Sequence, residues 1–461
     1  MQCLLKKLFD HQNILILGFG REGQSTYRTI RKFLPDRTVS IADRNMNLID
    51  NQQLANDPKV VLRLGDNYLE DLSEYDLIIK TPGISLKHHP KLANDPRISS
   101  QADLFLSVFS SQTIGITGTK GKSTTTSLIY HIVQKYTTNV VLVGNIGIPP
   151  FDMIDQITSE TLIVYELSSH QLQFIRQAPR ISVLLNIFQE HLDYYCSYEQ
   201  YQQSKLNIVR FQNENDFVIY NADNAIITDF LADFKDPRKR VALSVTQQLK
   251  DGFYIMNNQI FIAEQGHSVL FYDANGRKTL MGDHNLFNMM AAAAVCRILT
   301  VPDDTIQEGF NDFKSLPHRL EYVGNFWGIH FYNDSISTIP ETTIAALKTI
   351  QNVDTLILGG FDRGIDYSSL IEFIYQHPIP NLIFIGSAGK RMHEAFDKNL
   401  LPENHLYITK TYAEVVDIAF KVTRVGKTCL LSPAAASYDM FTNFEERGTT
   451  FIHLIEKGLS G

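Results

Sequence analysis

A chain of 461 residues, 44% hydrophobic and 20% charged, has ordinary globular composition and enough length for about three domains. Its net charge of −8, with no Lys/Arg block or basic-aromatic stripe, argues against a nucleic-acid binder. No apolar run of about 18 residues occurs, and Cys3, Cys196, Cys296 and Cys429 lack Cys-x-x-Cys spacing, which excludes membrane insertion, a zinc knuckle and a disulfide framework as expectations. The expected protein is cytoplasmic with reduced thiols, and any anion it binds must be held locally.

Asn13-Ile-Leu-Ile-Leu-Gly18-Phe19-Gly20-Arg-Glu-Gly23 reads as a buried strand, a glycine turn and a helix start. Thr38 to Asp43 reads as a second strand, ending in an acid about twenty residues on, where a ribose hydroxyl acceptor would sit. By itself this fingerprint says only that a diphosphate or sugar nucleotide can lie on a Rossmann-like unit, NAD being one candidate. Asp76-Leu-Ile-Ile-Lys-Thr-Pro-Gly83-Ile84 predicts another parallel strand with a turn at its C-terminal end.

A second domain is predicted from about residue 109. Thr113-Ile-Gly-Ile-Thr-Gly118-Thr-Lys-Gly121-Lys122-Ser123-Thr-Thr-Thr126 is an apolar strand, a glycine turn and a helix start. Gly118 and Gly121 let backbone N–H groups converge on an anion at a helix N-terminus. Lys122 can reach the outer phosphates and the Ser123 hydroxyl can bind Mg²⁺, so ATP is the implied ligand. Ile116 stands where the strict pattern has its first glycine.

Thr161 to Ser169 predicts a strand ending in Glu166, an acid placed beside the phosphate loop to hold Mg²⁺. Ser182 to Phe188 predicts another, followed by Glu190, His191 and Asp193, and Tyr198 to Arg210 a helix carrying Lys205. Residues 241–281 read as an antiparallel annex with hairpin turns at Asn257-Asn258 and Asn275-Gly276. Asp283 opens an alanine-rich helix with Asn285 and Asn288 on one face, and from about Leu316 further strands alternating with helices predict a third α/β sheet.

These motifs together resemble the Mur ligase family, and within it the enzymes that add glutamate to UDP-N-acetylmuramoyl-L-alanine. The resemblance rests on Gly118-Thr-Lys-Gly-Lys-Ser-Thr, Gly144-Asn-Ile-Gly, Glu166-Leu-Ser-Ser-His-Gln-Leu, Glu190-His-Leu-Asp and Tyr201-Gln-Gln-Ser-Lys205. Gly282-Asp-His-Asn-x-x-Asn288, Pro317-His-Arg-Leu-Glu321, Asn333-Asp-Ser335 and the run from Leu431 to Gly448 extend it over nearly the whole chain.

The resemblance implies an α/β protein of three domains. Residues 1–108 would form a Rossmann-like domain for the UDP-sugar, residues 109–316 a central P-loop ATPase-type parallel sheet with the small antiparallel annex, and residues 317–461 a C-terminal Rossmann-like domain for glutamate and nucleotide. It also implies a monomer that handles small molecules in peptidoglycan precursor synthesis. ATP would phosphorylate the alanine carboxylate, and the glutamate amine would displace phosphate.

Lys122, His191 and Lys205 would be catalytic. Gly118, Thr119, Lys120, Gly121, Lys122, Ser123, Thr124, Asn285, Asn288, Arg319 and Asp334 would bind ATP. Gly18, Phe19, Gly20, Asp43, Arg44, Asn45, Gly83 and Asn145 would hold the UDP-sugar, and Thr338, Arg363, Ser437 and Phe444 the glutamate. Two Mg²⁺ sites are implied, a first on Ser123 and Glu166 and a second on His191. Lys205 would join them as a carbamate, since CO₂ turns its ammonium into an anionic oxygen donor suited to a hard metal.

Departures from the family pattern cluster: Ile336 and Arg363 replace lysines, Lys120 an asparagine, and Tyr194 the arginine after His-Leu-Asp. D-glutamate is the expected amino acid on the Ser437 and Phe444 match, with L-glutamate the alternative. A folylpolyglutamate-type ligase leaves the first glycine unit unused. An NAD oxidoreductase leaves the phosphate loop, Glu166 and His191 unexplained.

Overall fold

The computed structural model describes residues 8–9, 13–234, 239–276, 280, 282–314, 316–350, 352–397 and 405–458. The chain divides into two compact units, Met1–Asn275 with Asp283–Asp312, and Phe313–Gly461 with Gly276–Gly282.

The first unit contains two sheets. Strands β1 (Ile14–Leu17), β2 (Val39–Asp43), β3 (Val60–Leu64), β4 (Leu77–Lys80) and β5 (Ile98–Ser99) form a parallel sheet in the order β3-β2-β1-β4-β5. The order reverses beside β1, and the crevice at such a switch point, outside the carboxyl ends of the strands, is where ligands bind in doubly wound folds. Both β1 and β4 are buried along their length, which is why they read as continuous apolar runs.

The larger sheet runs β14-β13-β12-β11-β10-β9-β6-β8-β7. Its parallel part is built from β6 (Thr113–Thr117), β7 (Val140–Gly144), β8 (Leu162–Glu166), β9 (Ile181–Leu184), β10 (Phe217–Asn221), β11 (Lys239–Ser244) and the start of β12 (Gly252–Met256). The annex, β12 with β13 (Gln259–Glu264) and β14 (His267–Asp273), is antiparallel and extends this same sheet. Its hairpins turn at Asn257–Asn258 and Gln265–Gly266, all with positive φ. The expected hairpin at Asn275-Gly276 is corrected: the pair follows β14, the edge of the sheet, and no described strand lies beyond it.

Helix Asp283–Ile298 is buried on all sides from Leu286 to Cys296, which explains its alanines: it lies against helix Lys122–Tyr136, and small side chains let the two backbones approach. One apolar core runs from Ile14 and Ile41 of the first sheet through Phe105 and Phe109 to Tyr165, Leu184 and Val218 of the second.

The second unit holds β15 (Glu321–Phe326), β16 (Ile329–Asn333), β17 (Val353–Gly359), β18 (Asn381–Ile385), β19 (His405–Thr409) and β20 (Thr428–Leu431), in the order β15-β16-β20-β17-β18-β19. All pairs are parallel except β15 with β16. Among the described residues no helix is long and apolar enough to cross a membrane.

Candidate active site

Strand β6 delivers Gly118, and Gly121, at φ +88°, turns the chain into helix Lys122–Tyr136. A side chain at Gly121 would place its Cβ 2.6 Å from Asn288 Oδ1, so both backbone angle and space demand glycine there. Asn186 braces the loop: its Oδ1 accepts from Lys120 N at 2.8 Å and its Nδ2 donates to Lys120 O at 3.0 Å. Thr125 Oγ1 donates to Asn288 Oδ1 at 3.1 Å, and Asn288 Nδ2 to Asn285 Oδ1 at 3.3 Å, which brings the alanine-rich helix to the loop. Lys122 Nζ donates to Gly118 O at 2.9 Å and Thr119 O at 3.0 Å, and Lys120 Nζ reaches Glu190 Oε1 at 2.5 Å.

Glu166 ends β8 and is fully buried. Its Oε1 accepts from Ser123 Oγ at 3.1 Å and from Asn145 Nδ2 at 3.3 Å, while its Oε2 is buried without a hydrogen-bond partner. An orphaned carboxylate oxygen costs about 1–3 kcal/mol or more, and a hard cation would satisfy it. The donor set fits Mg²⁺, although among the described residues no three His, Cys, Asp or Glu side chains cluster as metal ligands; Ser123 and Lys205 would have to contribute.

Lys205, on helix Tyr198–Arg210, is 2% exposed and donates to Gly118 O at 2.7 Å, with its ammonium 5.1 Å from the Tyr201 ring centre. Burial, and then the Lys122 ammonium, hold it well below the ordinary lysine range, against the opposing pull of Glu190 and Glu166. A neutral amine of this kind is a nucleophile toward CO₂, which fits the carbamate that the resemblance implies.

His191 takes φ +58° with 45% of its side chain exposed, its ring 4.8 Å from His170 and 6.0 Å from Tyr201. Burial lowers its pKa and favours the neutral imidazole that ligates metals. His170 is pushed further, down to about 3, by burial and then by His191 and Lys80.

At the first sheet, Gly18 takes φ +95° and Gly20 opens helix Arg21–Phe33. Asp43 accepts from Phe19 N at 2.7 Å and Asn45 N at 2.8 Å, so its carboxylate braces the glycine loop. The Phe19 side chain is buried, leaving its backbone as the part that faces a ligand; Arg44 and Asn45 are exposed, and Gly83 has open space where a Cβ would be.

In the second unit Asp334 is buried, accepting from Leu320 N at 3.2 Å and Ser432 Oγ at 2.8 Å, and burial raises its carboxyl to about 6 against the lowering effect of Arg319. Arg363 Nη2 donates to Thr338 O at 3.1 Å, so two of the expected glutamate residues meet. Ser437 is buried, and Phe444 opens the last helix, its ring 6.3 Å from His318. Ile336, where the family pattern has lysine, donates its N–H to His318 O at 3.1 Å.

Sequence reasoning missed Lys80, Asn186 and Arg447. Arg447 is 1% exposed and donates to Ser335 Oγ, Ser335 O, Ala435 O and Ala436 O, tying the loop after β16 to the loop before Ser437. A charged residue closing an apolar run was the signal for Lys80.

Residues 116–296 match the Mur ligase middle domain. Over 460 residues the chain is 34% identical to the UDP-N-acetylmuramoylalanine--D-glutamate ligase of Ruminiclostridium cellulolyticum, covering 98% of this chain and 97% of that one. It is 33% identical to the ligase of the same name from Clostridioides difficile, over 95% and 97% of the two chains. Among solved structures it is similar to the UDP-N-acetylmuramate-alanine ligase of Thermotoga maritima, with TM-score 0.57, 18% identity and 97% and 100% coverage. The MurF ligase of Thermotoga maritima in complex with ADP superposes with TM-score 0.55 at 17% identity, over 92% and 96% of the chains.

Proposed function

The chain belongs to the Mur ligase family, in its UDP-N-acetylmuramoylalanine--D-glutamate ligase branch, and on that footing we propose that it joins D-glutamate to the alanine carboxyl of UDP-N-acetylmuramoyl-L-alanine through an acyl phosphate. It is an ATP-dependent amide ligase of peptidoglycan precursor synthesis. The D form is preferred over the L alternative because the relatives' own name carries it.

The alanine carboxylate oxygen attacks the γ-phosphorus of ATP, the bond to the bridging oxygen breaks, and ADP leaves. The deprotonated glutamate amine then attacks the acyl carbon, the C–O bond to phosphate breaks, and the amide remains. Lys122 and the backbone N–H groups of Gly118 to Ser123 stabilise charge on the transferring group. By the family match, Asn285 and Asn288 would serve the nucleotide, as would Arg319 and Asp334. Asn145 with the Gly18–Gly20 loop, Asp43, Arg44, Asn45 and Gly83 holds the UDP-sugar, and Thr338, Arg363, Ser437 and Phe444 orient the glutamate.

Ser123 and Glu166 would hold a first Mg²⁺, and His191 with a carbamylated Lys205 a second. Bound there, the ions would neutralise phosphate charge and align the γ-phosphorus. The observation that carries the reading is the convergence of Lys122 and Lys205 on Gly118 O beside the orphaned Glu166 oxygen. Hydroxylamine tests the acyl phosphate: with ATP and UDP-N-acetylmuramoyl-L-alanine but no glutamate, the hydroxamate should form. Normal turnover without any trappable hydroxamate would contradict the intermediate.

A further inference from the structure

Lys80, at the end of β4, is 1% exposed, and its hydrogen bonds run to neutral oxygens, Thr81 O at 3.1 Å and Tyr194 Oη at 2.6 Å. Tyr194 Oη in turn donates to Ile84 O at 2.7 Å. Burial pushes this amine down to about 7 against the opposing pull of the Glu22 carboxylate, so the fold holds it there against its own solvation preference.

The pair is the centre of a larger strap. Ser85 Oγ donates to Tyr194 O at 2.8 Å, Lys87 Nζ to Leu192 O at 2.7 Å and Cys196 Sγ to Lys87 O at 3.3 Å. Residues 192–196 are thereby fastened at alternate positions to the turn 80–87, which also carries Gly83.

The fastened segment begins directly after His191. His191 adopts φ +58°, uncommon for a residue with a side chain, and its carbonyl accepts from Tyr194 N at 3.0 Å and Tyr195 N at 3.1 Å. The Tyr194 ring packs 4.0 Å from His170, whose ring lies 4.8 Å from His191. Tyr194 therefore holds His191 by two routes, through the backbone of the turn and through the intervening imidazole. It stands where the family pattern has arginine, and in this chain the cation reaches the loop from β4 of the first sheet.

We propose that Lys80 and Tyr194 are positioning residues for His191: they fasten its loop to the turn of the first sheet and preset the imidazole that faces the metal. The proposal rests on the reading of His191 as a metal ligand. Groups that orient metal ligands typically change metal affinity about 10–100-fold when removed.

The test is Mn²⁺ binding, read by electron paramagnetic resonance, on the full chain with ADP and no turnover. Tyr194→Phe keeps the ring and removes only the hydroxyl, and Lys80→Met keeps the length and removes the charge. Each should weaken the second Mn²⁺ about ten-fold or more while the first Mn²⁺ and ADP bind as in the wild type. A second Mn²⁺ site of wild-type affinity in both variants, with or without a lower melting temperature, overturns the proposal and leaves the two residues merely structural. His191→Ala separates the two readings: if it too leaves the second site intact, the assignment of His191 as a ligand has failed, and the strap has no metal to serve.

Discussion

Lys205 Nζ donates to Gly118 O at 2.7 Å, the same carbonyl that accepts from Lys122 Nζ at 2.9 Å. Burial, and then the Lys122 ammonium on the same oxygen, destabilise the proton on Lys205. Its neutral amine is the form that takes up CO₂. Lys205→Ala should therefore be inactive and partly rescued by formate or acetate, which can occupy the vacated oxygen-donor site. Full activity of the alanine variant without added carboxylate would show a lysine with no part in the chemistry.

Lys122→Ala should abolish turnover and leave UDP-substrate affinity nearly unchanged, since the side chain serves the phosphate loop and the UDP-sugar residues lie mostly on the first sheet. Loss of one charge stabiliser in a site of this kind costs about 3 kcal/mol or more in the transition state. Steady-state kinetics together with calorimetric titration of UDP-N-acetylmuramoyl-L-alanine separate the two effects. Activity above about a tenth of wild type would contradict the role.

Asp334 makes the second unit pH-sensitive. Burial raises its folded carboxyl to about 6 from an ordinary 3.8, so between those values the folded chain holds the proton more tightly than the unfolded chain does. Stability from this group is present below pH 3.8 and is lost as pH rises through about 6, a change of order 3 kcal/mol. Asp334→Asn should flatten that part of the pH profile in thermal melts from pH 4 to 7. An unchanged difference between variant and wild type across the window would contradict it.

Arg447→Met would leave the carbonyls of Ser335 and Ala435 without their buried donor, while Ala436 O keeps its bond from Phe361 N at 2.9 Å. Unsatisfied groups of this kind cost about 1–3 kcal/mol each, so calorimetry should show the second unit destabilised by at least about 2 kcal/mol. Because Ser437 follows the clamped alanines, the KM for glutamate should rise more than that for ATP. Equal shifts in both would mean that the clamp holds the unit together without shaping the amino-acid site.

The sequence displayed the phosphate loop plainly, because glycine, lysine and hydroxyl can follow an apolar strand in that order for few other reasons. Glu166 was equally legible, an acid closing an apolar strand just after the phosphate loop's own helix and strand. Lys205 was legible only through the family resemblance: taken alone, a lysine on an amphipathic helix reads as a solvated surface residue, and its burial against Gly118 O is what sets it apart. Lys80 was passed over because its acceptors, Tyr194 and Thr81, are neutral and no acidic neighbour in sequence announces a pair. The Asn275-Gly276 signal misled because a turn dipeptide makes a hairpin only where a second strand exists to receive the chain, and Gln265-Gly266 took that place with weaker local propensity. Arg363 was expected from its position in the glycine turn, but its meeting with Thr338 depends on two loops far apart in the chain.

Arg363 also bears on which glutamate is used. Its planar fork can grip a carboxylate bidentately where the family's lysine offers a point charge, and its anchor on Thr338 O fixes the direction of that grip. Arg363→Lys should raise the KM for D-glutamate and narrow the preference for the D over the L form, measured with each pure enantiomer. An unchanged ratio would place the stereochemical choice with Ser437 and Phe444 instead.

The most direct measurement is phosphate release from ATP with each substrate omitted in turn. Release should require ATP, UDP-N-acetylmuramoyl-L-alanine and D-glutamate together, with one phosphate formed per amide and L-glutamate a poor substitute. Sustained release without the UDP-substrate, or turnover that favours L-glutamate, would contradict the account.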